Sequence, residues 1–200
     1  MHDLVIRNAT VFDGLGSDPV DADVAVDNGR VAVIGSIEGT ALRTVDADGL
    51  SLAPGIVDLH THYDAQVTWD KQMSPSPSLG VTSAGIGNCG FGIVPCPPPV
   101  RDLILRNLSV VEGMDLDSLR TGVDWCFESF ADYMSALRGI GPYMNVAVLA
   151  GHSVIRTAVM GEDASNREQA TDDELRIMCS MVDEAMAHGA VGFAGSYSLN

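Results

Sequence analysis

Four short apolar runs, separated by longer segments with helical periodicity, restrict the possible folds more than any other feature of the sequence. The runs are residues 56–59, 80–86, 144–150 and 190–194. Short, nearly continuous apolar runs are typical of strands that are buried on both faces of a parallel sheet. Alternating strands and helices therefore predict βα units, arranged either as half of a (β/α)8 barrel or as a small open α/β sheet.

The intervening segments carry the signals of α-helices, most clearly over residues 172–188. Thr171 and Glu174 have the spacing of a capping box in front of this helix. Residues 100–112 and 127–137 have comparable apolar faces. The apolar stripe of the clearest helix is predicted to comprise Leu175, Met178, Val182, Ala185 and Met186.

The N-terminal part of the chain has a different pattern, in which short β-branched runs alternate with turn signals. The runs are residues 4–12, 23–26, 30–35 and 43–47. Gly29 lies between the middle two runs, where it supplies the positive φ that a tight hairpin turn needs. We predict a small antiparallel unit here, and a division of the chain into domains of residues 1–54 and 55–200.

The charge balance excludes several classes of partner. The chain has 27 acidic and 11 basic side chains, which gives a formal net charge of −16. Nucleic acids and anionic membrane surfaces are bound through Lys and Arg patches, so neither is expected as a partner. The sequence contains no run of about 18 apolar residues and no basic N-terminal segment typical of a secretory signal. We therefore expect a soluble protein in a cytoplasmic location.

The first candidate site residues are His60 and His62, directly after the first apolar run. Residues i and i+2 of a strand project to the same face, so the two imidazoles are expected side by side. Neutral imidazoles are good ligands for Zn²⁺ and similar divalent ions, and active sites form at the C-terminal ends of barrel strands. The alternative is a chance pair of histidines on a surface strand, but the position after the first buried strand favours a metal site.

A glycine-rich turn with one cysteine, residues 87–92, ends the second apolar run. Its glycines allow close backbone approach and leave the sulfur of Cys89 accessible. A thiol loses its proton when it binds zinc, so Cys89 can complete a ligand set with His60 and His62. The alternative is an inert buried cysteine. A structural role is predicted for the other three cysteines, Cys96, Cys126 and Cys179.

Several of these segments together resemble a known family. Residues 53–62, with the sequence APGIVDLHTH, are similar to the first barrel strand of the amidohydrolase superfamily. Residues 80–90, which end in Asn-Cys-Gly, resemble its D-aminoacylase branch, the N-acyl-D-amino-acid deacylases. The resemblance implies an α/β fold in which N-terminal strands of a small β-sandwich precede the first half, four βα units, of a (β/α)8 TIM-like barrel. Further segments similar to this branch are residues 145–147, 151–156, 184–186 and 189–193.

The lysine content supports the narrower branch. Hydantoinase and dihydroorotase relatives within this superfamily bridge two metals with a carboxylated lysine on a later barrel strand. The only lysine of this chain is Lys71, in the polar segment of residues 70–75, where no strand pattern exists. A lysine bridge is therefore not expected within this stretch, and the resemblance implies that Cys89 takes its place.

The resemblance also implies a reaction, which is metal-assisted hydrolysis of N-acyl-D-amino acids with one or two Zn²⁺ ions as cofactor. In that family a strand-end aspartate acts as general base, and two further histidines and an arginine for the substrate carboxylate follow. These groups are expected beyond residue 200, so the catalytic base has no assigned residue. We also predict that Asp64 orients His60 or His62 by accepting a hydrogen bond. His152, after the third run, is a candidate contact to substrate, with a hydrogen-bonded structural histidine as the alternative.

Two interpretations from different classes follow. In the first, the chain is the N-terminal part of a zinc-dependent deacylase, and the 200 residues alone are expected to be inactive. In the second, it is a catalytically incomplete metal-binding or assembly half-barrel. Half a barrel leaves two sheet edges unpaired, so both interpretations require the remaining half of the barrel, from the same polypeptide or from a second one. A related cyclic-amide amidohydrolase is a further alternative.

Overall fold

The structure, a computed structural model, describes residues 1–196. The chain divides into two compact units, Met1–Gly55 and Ile56–Asn200. Among the described residues, no helix combines the length and the apolar character needed to cross a bilayer.

The first unit is one five-stranded sheet. Its strands are β1 (His2–Val11), β2 (Val20–Asp27), β3 (Arg30–Gly35), β4 (Ala41–Asp46) and β5 (Ser51–Leu52). The strand order is β3-β2-β1-β4, and β5 also pairs with β1. The predicted hairpin is present, because β2 and β3 pair antiparallel around a turn in which both Asn28 and Gly29 have positive φ.

The prediction of a wholly antiparallel unit is wrong. Strands β4 and β5 both run parallel to β1, on the edge that β2 leaves free. Turn residues specify the pairing of strands that follow each other directly. The β2–β3 hairpin separates β1 from β4 in the sequence, so the direction of β4 depends on the path of the whole unit and not on a local signal.

The second unit contains four parallel strands in sequence order. They are β6 (Ile56–Asp58), β7 (Val81–Ile86), β8 (Asn145–Gly151) and β9 (Gly192–Ala194). Helices occupy the connections, as parallel pairing requires. They are α1 (Tyr63–Gln66), α2 (Arg101–Glu112), α3 (Leu116–Gly122), α4 (Phe130–Ile140), α5 (His152–Met160), α6 (Asp163–Asn166) and α7 (Asp172–Ala187). The predicted fold class is confirmed as an N-terminal strand sheet followed by a parallel half-barrel.

The long helix α7 begins as the sequence predicts. The Thr171 hydroxyl accepts a hydrogen bond from the Glu174 backbone N–H at 3.2 Å, and the Glu174 carboxylate accepts one from the Thr171 N–H at 2.8 Å. The predicted apolar stripe is too wide, because Leu175 and Met186 are 54% and 47% exposed. The helix packs against α4, α5 and β8 through a narrower face than predicted, and this face includes the buried Met178.

Strand β6 does not have the two buried faces that its apolar run predicts. Ile56 and Val57 are 54% and 58% exposed. Within the described residues β6 pairs only with β7 and forms one edge of the four-stranded sheet. An apolar run reports that a strand is suited to burial, but the burial itself depends on what packs against the strand, and that is not encoded in the run.

Candidate metal centre

The two histidines follow β6 at its carboxyl end, and Thr61 between them fixes their orientation. The Thr61 backbone N–H and hydroxyl both donate to the carbonyl oxygen of Gly85 on β7, at 3.0 and 2.9 Å. Thr61 is buried, so the residues on either side of it project away from that contact. The rings of His60 and His62 have centroids 5.3 Å apart, which agrees with the side-by-side placement that the spacing predicts.

Cys89 lies in a tight turn after β7. The turn is a single 3₁₀ turn, Asn88–Gly90, in which Cys89 itself has a φ of 53°. This left-handed conformation is uncommon for a residue with a side chain and needs support from its surroundings. The Asn88 side chain supplies that support, because it donates to the Leu59 carbonyl at 2.8 Å and accepts from the Cys89 N–H at 2.7 Å. One asparagine therefore ties the cysteine turn to the segment that carries the histidines.

Two glycines, one in β7 and one directly after it, are required by close backbone contacts. A Cβ atom on Gly87 would lie 2.4 Å from the carbonyl oxygen of Leu149 on β8, and Gly87 has a φ of +74°. A Cβ atom on Gly85 would lie 2.7 Å from the carbonyl oxygen of Leu59. Side chains at these positions would separate β7 from its neighbours and displace the cysteine from the histidines.

The structure brings His60, His62 and Cys89 together as a group of possible metal ligands. One ligand atom from each lies within 4.8 Å of the other two, and the Cys89 Sγ atom is 3.7 Å from the His62 Nε2 atom. Two imidazole nitrogens and one sulfur form a donor set that suits Zn²⁺. The buried Nδ1 atom of His62 has no hydrogen-bond partner in the described part of the chain. Within residues 1–196 no protein group therefore holds this ring through that nitrogen, whereas its other nitrogen, Nε2, faces the Cys89 sulfur.

The electrostatics of the group favour a cation. Burial lowers the pKa of His62, which keeps its imidazole neutral and able to bind a metal. Burial also raises the pKa of the Cys89 thiol, and the nearby carboxylates of Glu112 and Asp64 raise it further. Without a cation the sulfur therefore keeps its proton, whereas coordination to a metal removes that proton.

Glu112 lies beside this group and contacts two of its three members, and the sequence analysis missed it. Its Oε1 atom is 3.2 Å from the His62 Nε2 atom and 3.9 Å from the Cys89 Sγ atom. The signal available in the sequence is an acidic residue in the last turn of a predicted helix, where the helix dipole disfavours negative charge.

Asp64, the predicted hydrogen-bond acceptor for the histidines, is 3% exposed in the first turn of α1. Burial raises its pKa to about 7. Its backbone carbonyl accepts a hydrogen bond from the Tyr133 hydroxyl at 2.9 Å, but its Oδ2 atom has no partner within residues 1–196. No hydrogen bond joins Asp64 to His60 or His62 in this part of the chain, so the orienting role stays a prediction.

His152, the predicted substrate-side residue, is the first residue of α5, directly after β8. Its ring meets Phe193 edge-on, with centroids 6.2 Å apart. Both residues line an apolar cavity of about 380 Å³, together with Leu175 and Met178. His152 is not a member of the donor group found in the described residues. A contact with substrate stays a prediction.

The remaining cysteines and the single lysine lie outside the donor group. Cys96 is fully buried, and burial raises its pKa to about 12. Cys126 and Cys179 are exposed. Lys71 is exposed in the segment between α1 and β7 and lies on no strand.

A half-barrel of parallel strands, with imidazole and thiol donors at the carboxyl ends of its first two strands, defines an α/β protein with a candidate metal centre. The particular family follows from sequence comparison. The profile described as amidohydrolase family matches residues 43–196. The chain therefore belongs to the amidohydrolase family, which confirms the resemblance seen in the sequence.

The chain is similar to D-aminoacylase and to deacylases of N-acyl-D-aspartate and N-acyl-D-glutamate. D-aminoacylase from Alcaligenes xylosoxydans xylosoxydans is 37% identical over 196 residues, which cover 96% of this chain and 37% of the relative. A D-aminoacylase structure described for its binuclear metal center has 33% identity and a TM-score of 0.79, over 98% of this chain and 38% of that chain. The N-acyl-D-glutamate deacylase of Bordetella bronchiseptica, solved with zinc and a phosphonate inhibitor, has 31% identity and a TM-score of 0.77, over 97% and 38%. The chain thus spans a little over a third of the length of these relatives.

Proposed function

We propose that this chain supplies part of the active site of a metal-dependent amide hydrolase that removes the acyl group from N-acyl-D-amino acids. The observation that carries the proposal is the convergence of His60, His62 and Cys89 at the carboxyl ends of two adjacent parallel strands. The likeness to D-aminoacylase and to N-acyl-D-glutamate deacylase supports the choice of substrate class.

We propose zinc, as one or two ions, as the cofactor. Two imidazoles and a thiolate are preferred zinc ligands, a related deacylase structure contains zinc, and D-aminoacylase is described with a binuclear metal center. When bound, the metal supplies Lewis-acid polarisation of the amide carbonyl and lowers the pKa of a water molecule. His60 and His62 bind through neutral imidazoles, Cys89 binds as a thiolate, and the two hydrogen bonds of Thr61 to Gly85 hold the histidines in register.

The rest of the active site is proposed to come from protein that pairs with the two edge strands, β6 and β9. Apolar side chains on these strands are exposed in the described part of the chain, with Ile56, Val57 and Phe193 all more than half exposed. Covering them removes apolar surface from water and closes two open sheet edges. We propose that this second half-barrel carries the general base and the group that binds the substrate carboxylate.

The same exposed edges support a second candidate, a half-barrel that binds metal and assembles with another chain without catalysis. The two candidates differ in whether the assembled protein hydrolyses amides. They make the same prediction for metal binding by His60, His62 and Cys89.

The test uses the full-length protein, with zinc, on N-acetyl-D-amino acids and their L enantiomers. We expect release of the free D-amino acid, loss of this activity after chelation, and recovery with added zinc. His60→Gln should abolish hydrolysis, whereas His188→Gln, at an exposed histidine after α7, should leave it unchanged. A zinc-loaded protein that hydrolyses none of these substrates contradicts the deacylase and favours the assembly module. Hydrolysis of cyclic amides instead would favour the cyclic-amide alternative.

A further inference from the structure

The helix α2 directs Glu112 inwards. Leu105 and Leu108 on this helix are 3% and 1% exposed and pack in the core of the second unit. Glu112 follows them by seven and four residues, which places it on the same face of the helix. Its side chain is 20% exposed, in contrast to the fully solvated position typical of a glutamate at a helix end.

The position of Glu112 is unfavourable for a carboxylate unless a cation is present. Glu112 is the last residue of α2, at the end of the helix dipole that carries partial negative charge. An acidic group there typically costs about 0.3–1 kcal/mol. Among the described residues no Lys or Arg forms an ion pair with it, and its nearest basic group is the imidazole of His62, with 3.2 Å between Oε1 and Nε2. Within residues 1–196 this largely covered carboxylate thus has no lysine or arginine partner.

The distances among Glu112, His62 and Cys89 are those of atoms around one metal ion. The three separations are 3.2 Å between Oε1 and Nε2, 3.7 Å between Nε2 and Sγ, and 3.9 Å between Oε1 and Sγ. Ligand atoms at the corners of a zinc tetrahedron, with zinc bonds of about 2.0–2.3 Å, lie about 3.3–3.6 Å apart. An oxygen, a nitrogen and a sulfur therefore face a common point at nearly the required spacing.

We infer that Glu112 is a further ligand of the metal that His62 and Cys89 hold. The carboxylate at the end of α2 is then part of the metal centre itself. This inference rests on the proposed metal-dependent function. A role limited to a hydrogen bond with His62 fits the structure less well, because the Oε1 and Nε2 atoms, although 3.2 Å apart, do not have hydrogen-bond geometry. The carboxylate also faces the same nitrogen that faces the sulfur, whereas a group that only orients a metal-binding histidine bonds its other nitrogen.

The test is cobalt substitution of the full-length protein, in which Co²⁺ replaces Zn²⁺ and reports its ligands by absorption. Glu112→Gln retains the shape of the side chain and removes the anionic oxygen. We expect the sulfur-to-cobalt charge-transfer band to persist, because Cys89 remains, and the d–d bands to change in position and intensity. Zinc affinity, measured by competition with a chromogenic chelator, should fall by more than the ~10- to 100-fold that loss of an outer hydrogen-bond partner causes.

Asp117→Asn is the matched control, because it removes one negative charge from a side chain on α3 that is 91% exposed. Its d–d bands should be those of the unmodified protein, and its zinc affinity should stay within about twofold. Circular dichroism of both variants checks that the fold is retained. Unchanged d–d bands in Glu112→Gln, with the metal still bound, overturn the ligand role of Glu112 and leave the proposed function intact. An unmodified protein that binds neither cobalt nor zinc overturns both.

Discussion

The Sγ atom of Cys89 lies 3.7 Å from the Nε2 atom of His62, although 27 residues separate the two in the sequence. The turn that carries the cysteine and the segment that carries the histidine are joined by the Asn88 side chain. The contact thus depends on the parallel pairing of β6 with β7 and on the glycines that allow it.

Replacing the sulfur should remove metal binding more than it affects folding. Cys89→Ser retains the size of the side chain but replaces a thiolate ligand with a hydroxyl, which keeps its proton near neutral pH. We expect zinc affinity to fall at least ~100-fold. This is more than the usual effect of losing a group that is only hydrogen-bonded to a metal ligand. Cys126→Ser, at an exposed cysteine, is the control and should retain full zinc content by atomic absorption. Equal zinc content in the two variants would remove Cys89 from the ligand set.

Alkylation should distinguish the four cysteines by position and by metal. Cys126 and Cys179 are exposed and should react with iodoacetamide whether or not zinc is present. Cys96 is fully buried with its pKa raised to about 12, so it should react only after unfolding. Cys89 is partly exposed with a raised thiol pKa, so it should react slowly in chelator and be protected when zinc is bound, as read by peptide mass spectrometry. Labelling of Cys89 at the same rate in both conditions would contradict its role as a ligand.

Adding one methyl group at Gly87 should disturb the centre through the backbone. Gly87→Ala places a Cβ atom 2.4 Å from the Leu149 carbonyl oxygen and forces a side chain into a left-handed conformation. We expect a loss of about 2 kcal/mol or more in the free energy of unfolding, with weaker zinc binding. Gly139→Ala is the control, because Gly139 lies in α4 with no atom close enough to contact a new Cβ. It should stabilise the protein by up to ~1 kcal/mol, through higher helix propensity. Similar urea midpoints for both variants would contradict the steric argument.

The capping box of α7 should make the stability of the protein depend on pH. This effect can be measured separately from metal binding. The hydrogen bond from Arg167, together with that from the Thr171 N–H, lowers the pKa of Glu174 from 4.5 to about 2. Because the pKa is lower in the folded state, the carboxylate stabilises the protein above pH ~4.5, and this contribution is lost as the pH falls towards ~2. Glu174→Gln should therefore be less stable at pH 7 and approach the unmodified protein in acid.

Thr171 is the uncharged partner of Glu174 in this capping box, and its variants should affect stability differently. Thr171→Ala removes the hydroxyl that accepts from the Glu174 N–H and should cost about 1 kcal/mol. Thr171→Ser retains the hydroxyl and should lose little. Thermal unfolding at several pH values measures all three variants. A gap between Glu174→Gln and the unmodified protein that is as wide at pH 2 as at pH 7 would contradict the pKa argument.

The sequence predicts the features that depend on neighbours along the chain. The β2–β3 hairpin, the start of α7 and the side-by-side histidines all follow from spacings of a few residues, and the structure contains them. The resemblance to the amidohydrolase family extended the prediction to the half-barrel, which periodicity alone left open.

Features that depend on distant neighbours were missed. The parallel pairing of β4 with β1 needs the path of the whole unit, and the exposure of Ile56 depends on what covers an edge strand. Glu112 was missed for the same reason, because its partner His62 lies far away in the sequence and α2 is a plain amphipathic helix up to its last residue. In the sequence, the one signal that distinguishes Glu112 is the unfavourable position of an acidic residue at the C-terminal end of a helix.

The spacing of the donors along the chain also determines when the centre forms. His62 and Cys89 are 27 residues apart, and Cys89 and Glu112 are 23 apart, so an unfolded chain holds these atoms far from one another. Contacts of this separation form only after the loops between them have closed. Metal uptake during refolding should therefore lag behind the formation of local helices such as α7, and a chain that retains its metal has already completed the pairing of its first two barrel strands.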